Sequence, residues 1–191
     1  MALLDTDLLT RTAPLYERVK RVIPPFEWAT FAEDVDAILE LKRRRNAVVL
    51  AHNYQTPEIF HGVADIVGDS LLLAREATKV DVDVIVLAGV HFMAESADIL
   101  TSDEQTVVLP DLAAGCSMAD MAALHQVQEC WDELVEAGVA ESTIPVTYMN
   151  SSAAIKSFTG RHGGTICTSS NAQTALTWAF DQTGGVDGTG K

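Results

Sequence analysis

Short, uninterrupted apolar runs alternate with helical segments through most of this chain, and this alternation limits the fold more than any other feature. The runs at 47–51 and 84–88 contain only apolar residues, which is typical of strands that are buried on both faces. After the first run, Thr56-Pro57-Glu58 carries the N-cap and first-turn signals of a helix. Buried strands that alternate with helices predict an α/β fold with parallel sheets.

The same pattern predicts how the chain is organised. We expect a partly helical leader at 1–30, a first α/β lobe at 31–115 and a second lobe at 116–191 that lacks at least one strand. The basic run 42–45 ends an amphipathic helix, and we interpret it as a solvated helix end. Strands are expected at 47–51, 64–67, 84–88, 106–109, 145–149 and 165–168, and helices at 70–78, 91–100, 118–137, 151–158 and 170–180.

Two stretches of the sequence are similar to each other. The segment 48–54 leads through a helix and a short strand to Gly68-Asp69-Ser70, and the segment 146–151 leads in the same way to Thr168-Ser169-Ser170. Chance similarity between α/β units is common, so the repeat alone does not decide between a true internal repeat and a coincidence. If the repeat is real, related lobes present equivalent strand ends to a shared cleft.

Charge and composition exclude several classes of partner. Acidic residues outnumber basic ones by 27 to 13, a formal net charge of −14, which argues against nucleic acids and anionic membranes. No apolar segment approaches the roughly 20 residues of a transmembrane helix, and the first residues lack the pattern of a secretory signal. The three cysteines fit a reducing compartment, so we expect a cytoplasmic protein.

Polar side chains follow the predicted strands at the edge where α/β proteins bind ligands. His52 and Tyr54 have alternate spacing, and Tyr148 and Asn150 repeat that spacing after a later strand. A histidine there can bind a carboxylate or move a proton, although a hydrogen-bonded packing histidine is the structural alternative.

Hydroxyl groups at predicted helix N-termini form a second set of candidates. Ser70, and Ser169 within the run Thr168-Ser169-Ser170, lie where backbone amides and a hydroxyl can hold a carboxylate or phosphate. Capping of the helix alone also accounts for serine at such positions.

Cys116 follows a strand and a small-residue loop, and it precedes a predicted helix. A thiol in an open loop near a helix N-terminus suits a metal ligand, whereas a small hydrophobic residue in a loop is the alternative. We expect Cys167 to be buried in the core and Cys130 to lie in the core or on its flank. The cysteines are too far apart to indicate a zinc site, and no common nucleotide-binding or zinc motif is present.

Taken in order, these segments resemble quinolinate synthase, the iron–sulfur enzyme of NAD biosynthesis. The resemblance runs from about residue 41 to the last residue. It is carried by the segments 46–55, 67–71, 88–95, 109–118, 148–156 and 167–172.

The resemblance implies three αβα lobes with short parallel sheets around a pseudo-threefold axis. It implies the condensation of iminoaspartate with dihydroxyacetone phosphate to quinolinate, phosphate and water, assisted by a [4Fe-4S] cluster that three cysteines hold. By position, Cys116 is the first cluster ligand, and Tyr54 lines the cavity and takes part in proton transfer. The residues implied to bind substrate carboxylates are His52, Ser70, Tyr148, Asn150 and Ser169.

In the family, the third lobe and two further cluster cysteines lie beyond the segment present here. We therefore expect part of a quinolinate synthase that is inactive by itself, and possible contact with the enzyme that supplies iminoaspartate is left open. The alternative is a short, non-catalytic paralogue that binds a dicarboxylate without a cluster. A zinc hydrolase has no ligand set in the sequence to support it.

Overall fold

The computed structural model describes residues 6–183, and the chain divides into two compact units between Ala114 and Gly115. The Gly-rich tail from 184 onward lies outside the described residues. The helices are α1 (Thr6–Val19), α2 (Pro25–Arg44), α3 (Ser70–Ala77), α4 (His91–Leu100), α5 (Leu124–Glu136), α6 (Ala153–Arg161) and α7 (Ala172–Gln182). The strands are β1 (Ala47–His52), β2 (Ile66–Gly68), β3 (Val84–Ala88), β4 (Thr106–Val108), β5 (Val146–Tyr148) and β6 (Thr165–Cys167).

The first unit is built on a parallel sheet of four strands in the order β2-β1-β3-β4. The side chains of Leu50, Ile85 and Leu87 on the two central strands are fully buried. Burying a leucine or isoleucine side chain contributes about 1.5–3 kcal/mol, so the two apolar runs form the core of this unit. The α/β fold class with short parallel sheets is thereby confirmed.

Helices α1 and α2 pack together through a cluster of buried apolar side chains. Val19, Trp28 and Val35 are each at most 3% exposed, and the ring of Tyr16 lies 5.7 Å from that of Trp28. Pro25 is the first residue of α2, where a missing N–H has no cost because the first helical amides have no partner within the helix.

At the basic end of α2, the arginines at 43–45 are exposed, as expected of a solvated helix end, but Lys42 differs. Lys42 Nζ donates to the carbonyl oxygen of Val63 at 2.6 Å and to Asp65 Oδ1 at 2.8 Å, and its side chain is only 13% exposed. Asp65 Oδ2 in turn accepts the backbone N–H of Val49 at 2.8 Å. Lys42 therefore joins α2 to the segment that precedes β2, and it is not a freely solvated cation.

The second unit contains the parallel pair β5–β6, with α6 and α7 packed against it. Ala175 and Ala179 of α7 are buried, and the Trp131 ring of α5 lies 4.5 Å from His162 and 5.8 Å from Phe158.

The helix expected at 118–137 begins only at Leu124, and none of its residues is buried. Met121, within the range expected to be helical, lies before this helix and is 79% exposed. Among residues 6–183, none of the helices combines the length and the apolar character that crossing a membrane demands.

Candidate functional site

His52 is the last residue of β1 and lies at the carboxyl edge of the first sheet. Its Nδ1 accepts the backbone N–H of Tyr54 at 3.4 Å, and the two rings lie 3.9 Å apart at 38°. Accepting through Nδ1 leaves the proton of a neutral imidazole on Nε2. His52 therefore presents an N–H donor at the edge of the sheet, with Tyr54 against its ring.

The pKa of His52 is lowered from its ordinary value of 6.5, chiefly by burial, while the nearby carboxylate of Asp69 acts in the opposite direction. Burial acts by disfavouring the charged imidazolium. His52 is therefore neutral at physiological pH, which agrees with its Nδ1 acting as an acceptor.

Tyr54 lies close to the end of β3. A Cβ placed on Gly89 would come within 2.9 Å of Leu87 Cδ2, 3.0 Å of Met93 Sδ and 3.9 Å of the Tyr54 hydroxyl. The absence of a side chain at Gly89 thus leaves room for the side chains of Leu87, Met93 and Tyr54 at the end of β3. The Tyr54 side chain is 53% exposed.

Ser70 is the first residue of α3, and the expectation that it forms the N-cap is wrong. The N-cap is Asp69, whose Oδ1 accepts the backbone N–H of Leu72 at 2.8 Å. A carboxylate competes better than a hydroxyl for these amides because it is charged. Asp69 was missed as a site residue, and its position directly before an apolar helical run was the available signal.

His91 begins α4 at the same edge of the sheet. Its backbone N–H donates to the carbonyl oxygen of Ala114 at 2.9 Å, and its Nδ1 lies 3.9 Å from Glu95 Oε2. The hydrogen bond from His91 to Ala114 holds the last residue of the first unit, two residues before Cys116, at the start of α4.

In the second unit, Tyr148 and Ser169 are in direct contact. The Tyr148 hydroxyl lies 2.6 Å from Ser169 Oγ, and it accepts the backbone N–H of Ser169 at 3.2 Å. Parallel pairing brings the two together, since Tyr148 is opposite Cys167 in the register of β5 and β6.

Asn150 and Cys116 form a second polar pair in this unit. Asn150 Nδ2 donates to Cys116 Sγ at 3.7 Å, which is hydrogen-bonding distance for sulfur. Ser151 fixes the turn that carries Asn150, because its buried Oγ donates to the carbonyl oxygen of Tyr148 at 2.8 Å.

The turn from β6 to α7 differs from the expected helix start. Asn171 precedes α7, and its Oδ1 accepts the backbone N–H of Thr168 at 2.6 Å, so Ser169 lies in the turn before the helix. Cys167, expected in the core, is only half-buried, and Cys130, expected in the core or on its flank, is exposed, so neither thiol lies in the core.

The thiol of Cys116 fits one ligand of an iron–sulfur cluster, because it is partly accessible and has an N–H donor on its sulfur. Within residues 6–183, no three histidine, cysteine, aspartate or glutamate side chains are grouped closely enough to hold a metal ion. The described residues therefore do not supply a complete set of cluster ligands.

Each unit by itself collects hydrogen-bond donors at a strand end. In the first unit these are the His52 imidazole and the amides at the start of α3, and in the second they are the Tyr148–Ser169 hydroxyls and the Asn150 amide. Neutral donors of this kind suit carboxylate oxygens.

Comparisons with known proteins agree on one family. The family model described as "NadA: Quinolinate synthetase A protein" matches residues 36–186. The chain is 67% identical over 135 residues to a protein named quinolinate synthase from Streptomyces coelicolor, covering 70% of this chain and 34% of that relative.

The match extends to relatives in other bacteria. A quinolinate synthase from Nocardioides sp. is 64% identical over 144 residues, covering 75% of this chain and 36% of the relative. Quinolinate synthase 1 from Mesorhizobium japonicum is 56% identical over 165 residues, covering 86% and 48%. This chain spans between about a third and a half of these curated relatives, which confirms the prediction that it corresponds to part of the family's length.

Proposed function

The chain belongs to the quinolinate synthase family, and on that premise we propose that it forms the substrate-binding portion of an enzyme of NAD biosynthesis. The proposed reaction condenses iminoaspartate with dihydroxyacetone phosphate to give quinolinate, phosphate and water. Iminoaspartate is a dicarboxylate, so an enzyme that binds it must supply hydrogen-bond donors for two carboxylate groups.

The observation that carries this proposal is the set of donors at the carboxyl ends of β1 and β5. Neutral His52 donates through Nε2, and its ring is held by the backbone of Tyr54. Because the imidazole is uncharged, it orients a carboxylate without forming an ion pair. Ser70 contributes at the start of α3, where the backbone amides carry partial positive charge.

In the second unit, Tyr148, Ser169 and Asn150 are the proposed partners of a carboxylate. Tyr54 is the proposed proton-transfer group, because a phenol stacked on a neutral imidazole can donate and accept. We also propose a cytoplasmic location, which the sparse cysteines support, and a transient contact with the enzyme that supplies iminoaspartate.

We propose Cys116 as one ligand of a [4Fe-4S] cluster, and the remaining ligands are outside the described residues. A bound cluster with an open iron supplies a Lewis acid for the loss of water. The contribution of this chain is to present the sulfur beside Asn150.

A chimera tests the proposal. The segment of the Streptomyces coelicolor relative that matches this chain is replaced by the corresponding residues, and the protein is reconstituted anaerobically with iron and sulfide. We expect quinolinate to form from the two substrates, and we expect Cys116→Ala to abolish both the cluster absorbance and the product. Cys130→Ala is the matched control, since that thiol is exposed on α5. A folded chimera that makes no quinolinate, or an active Cys116→Ala variant, contradicts the proposal.

Titration calorimetry distinguishes the main proposal from the alternative of a non-catalytic dicarboxylate-binding protein. The iron-free 191-residue chain is titrated with malate, a four-carbon dicarboxylate. The main proposal expects no saturable binding, because the donors of this chain form only part of a larger site. Saturable binding that His52→Ala weakens favours the alternative.

A further inference from the structure

Tyr148 and Ser169 satisfy each other's hydrogen bonds, and this limits what they can offer to a ligand. The phenol oxygen of Tyr148 accepts the backbone N–H of Ser169 at 3.2 Å and lies 2.6 Å from its Oγ. Each hydroxyl has one proton and two lone pairs. The hydroxyl–hydroxyl contact therefore consumes one of the two available protons.

Both possible directions of that contact lead to the same count. If Tyr148 donates to Ser169 Oγ, the serine proton is free to point outward. If Ser169 donates to Tyr148, the phenol proton is free, and the phenol oxygen then accepts two bonds. In either case one O–H remains for a ligand.

We infer that Tyr148 and Ser169 act as a single hydrogen-bond donor, with the phenol holding the serine in place, and not as two independent carboxylate-binding residues. The inference rests on the proposed function only for the nature of the ligand. The backbone N–H that Tyr148 accepts polarises the outgoing O–H, since chains of hydrogen bonds strengthen one another. The pair is thus a stronger donor towards an anion than an isolated hydroxyl.

The two residues have different parts in this unit. Removing the phenol hydroxyl breaks both contacts, whereas removing the serine hydroxyl leaves the bond from the backbone N–H of position 169 to Tyr148. Tyr148 is therefore the positioning residue of the turn between β6 and α7. Neighbouring Ser170 is bound to Thr168 Oγ1 instead, so it serves as a control.

Hydrogen exchange in the ligand-free chain tests the contact itself. Tyr148→Phe is expected to accelerate exchange of the Ser169 amide by about 2- to 10-fold, which corresponds to one net hydrogen bond. Ser169→Ala and Ser170→Ala are expected to leave exchange at position 169 within about twofold of the parent. An unchanged Ser169 amide in a folded Tyr148→Phe variant overturns the inference.

If Tyr148→Phe unfolds the second unit, a second measurement replaces it. The ¹³Cζ resonance of Tyr148 reports hydrogen bonds at the phenol oxygen, and it is expected to move in Ser169→Ala but not in Ser170→Ala. If the chemical shift of the Tyr148 ¹³Cζ resonance is the same in Ser169→Ala as in the parent, the inference is overturned.

Binding in the chimera tests the single-donor character. Tyr148→Phe and Ser169→Ala each leave one hydroxyl proton and are expected to weaken binding of iminoaspartate only modestly, whereas the double variant leaves none and is expected to weaken binding by more than the product of the two single factors. A double variant that loses no more than the product of the two single factors overturns the inference. Since the exchange and resonance measurements need no ligand, failure of the proposed function is distinguishable from failure of the contact.

Discussion

Replacing Asp65 by alanine is expected to destabilise the first unit by about 1–4 kcal/mol, more than the loss of an ordinary surface charge. Asp65 precedes β2, yet its carboxylate serves strand β1. Its Oδ2 accepts the backbone N–H of Val49 at 2.8 Å, while its own backbone N–H donates to the carbonyl oxygen of Val49 at 2.9 Å. The side chain thus supplies a hydrogen bond that a strand partner supplies elsewhere.

The magnitude comes mainly from the backbone group that loses its partner. Val49 is 4% exposed, and leaving a buried N–H unpaired costs about 1–3 kcal/mol. The ion pair with Lys42 adds no more than about 1 kcal/mol, because the Asp65 side chain is 40% exposed and solvent screens the pair. After the substitution Lys42 still donates to the carbonyl oxygen of Val63 at 2.6 Å, so its charge keeps one partner.

Urea unfolding combined with amide exchange measures this effect. Asp65→Ala is expected to lower the unfolding midpoint and to accelerate exchange of the Val49 amide in particular. Asp65→Asn retains an acceptor oxygen and is expected to lose only about 1 kcal/mol. Lys79→Met is the matched control, since the Lys79–Glu76 pair leaves Lys79 64% exposed and is worth less than about 0.5 kcal/mol. If Asp65→Ala and Lys79→Met give the same midpoint, the reasoning is refuted.

Two further predictions concern pH and backbone packing. As the pH falls below 6.5, the ordinary pKa of histidine, the unfolded chain binds a proton before the folded chain does, because burial lowers the pKa of His52. Stability is therefore expected to decline as the pH falls through this window, and His52→Gln is expected to reduce that decline in urea titrations from about pH 7.5 to about pH 5.5; an identical decline in both proteins contradicts the assignment. Gly164→Ala is expected to cost about 1–3 kcal/mol, because a Cβ there would lie 2.0 Å from the carbonyl oxygen of Pro145. Gly160→Ala, within α6 and in open space, is instead expected to stabilise by about 0.5–1 kcal/mol, and thermal melts that rank the two variants the other way are inconsistent with this packing.

The sequence predicts the first unit well, because its strands are continuous apolar runs. The strand 84–88 and the helix 91–100 have the expected bounds, and the sheet is parallel as predicted. The helix expected at 118–137 fails at its start, because alanine-rich residues there have no stop signal. Instead, the backbone N–H of Ala123 donates to Gln126 Oε1 at 2.8 Å. This hydrogen bond helps fix the start of the helix at Leu124.

Contacts between distant side chains are what the sequence leaves open. The composition of the run 42–45 does not predict that Lys42 pairs with Asp65, which lies 23 residues further along the chain. Likewise, the alternate spacing of Tyr148 and Asn150 does not reveal that each has its own partner, Ser169 and Cys116. Periodicity predicts which face a side chain occupies, but a hydrogen bond depends on register and on side-chain conformation.

Strand register gives the internal repeat a physical basis that sequence similarity alone lacks. In the first unit His52 is opposite Gly68, and the next residue donates its N–H to the carbonyl oxygen of Gly68 at 3.0 Å. In the second unit Tyr148 is opposite Cys167, and the next residue donates to the carbonyl oxygen of Cys167 at 2.7 Å.

Ser70 and Ser169 each follow these partners by two residues, so both units place a ring-bearing side chain and a hydroxyl at the same register position. The units differ in how the ring is used, because His52 accepts a backbone N–H from its own loop whereas Tyr148 crosses to Ser169. Equivalent positions have therefore acquired different chemistry, a donor of imidazole type in one unit and a coupled hydroxyl pair in the other.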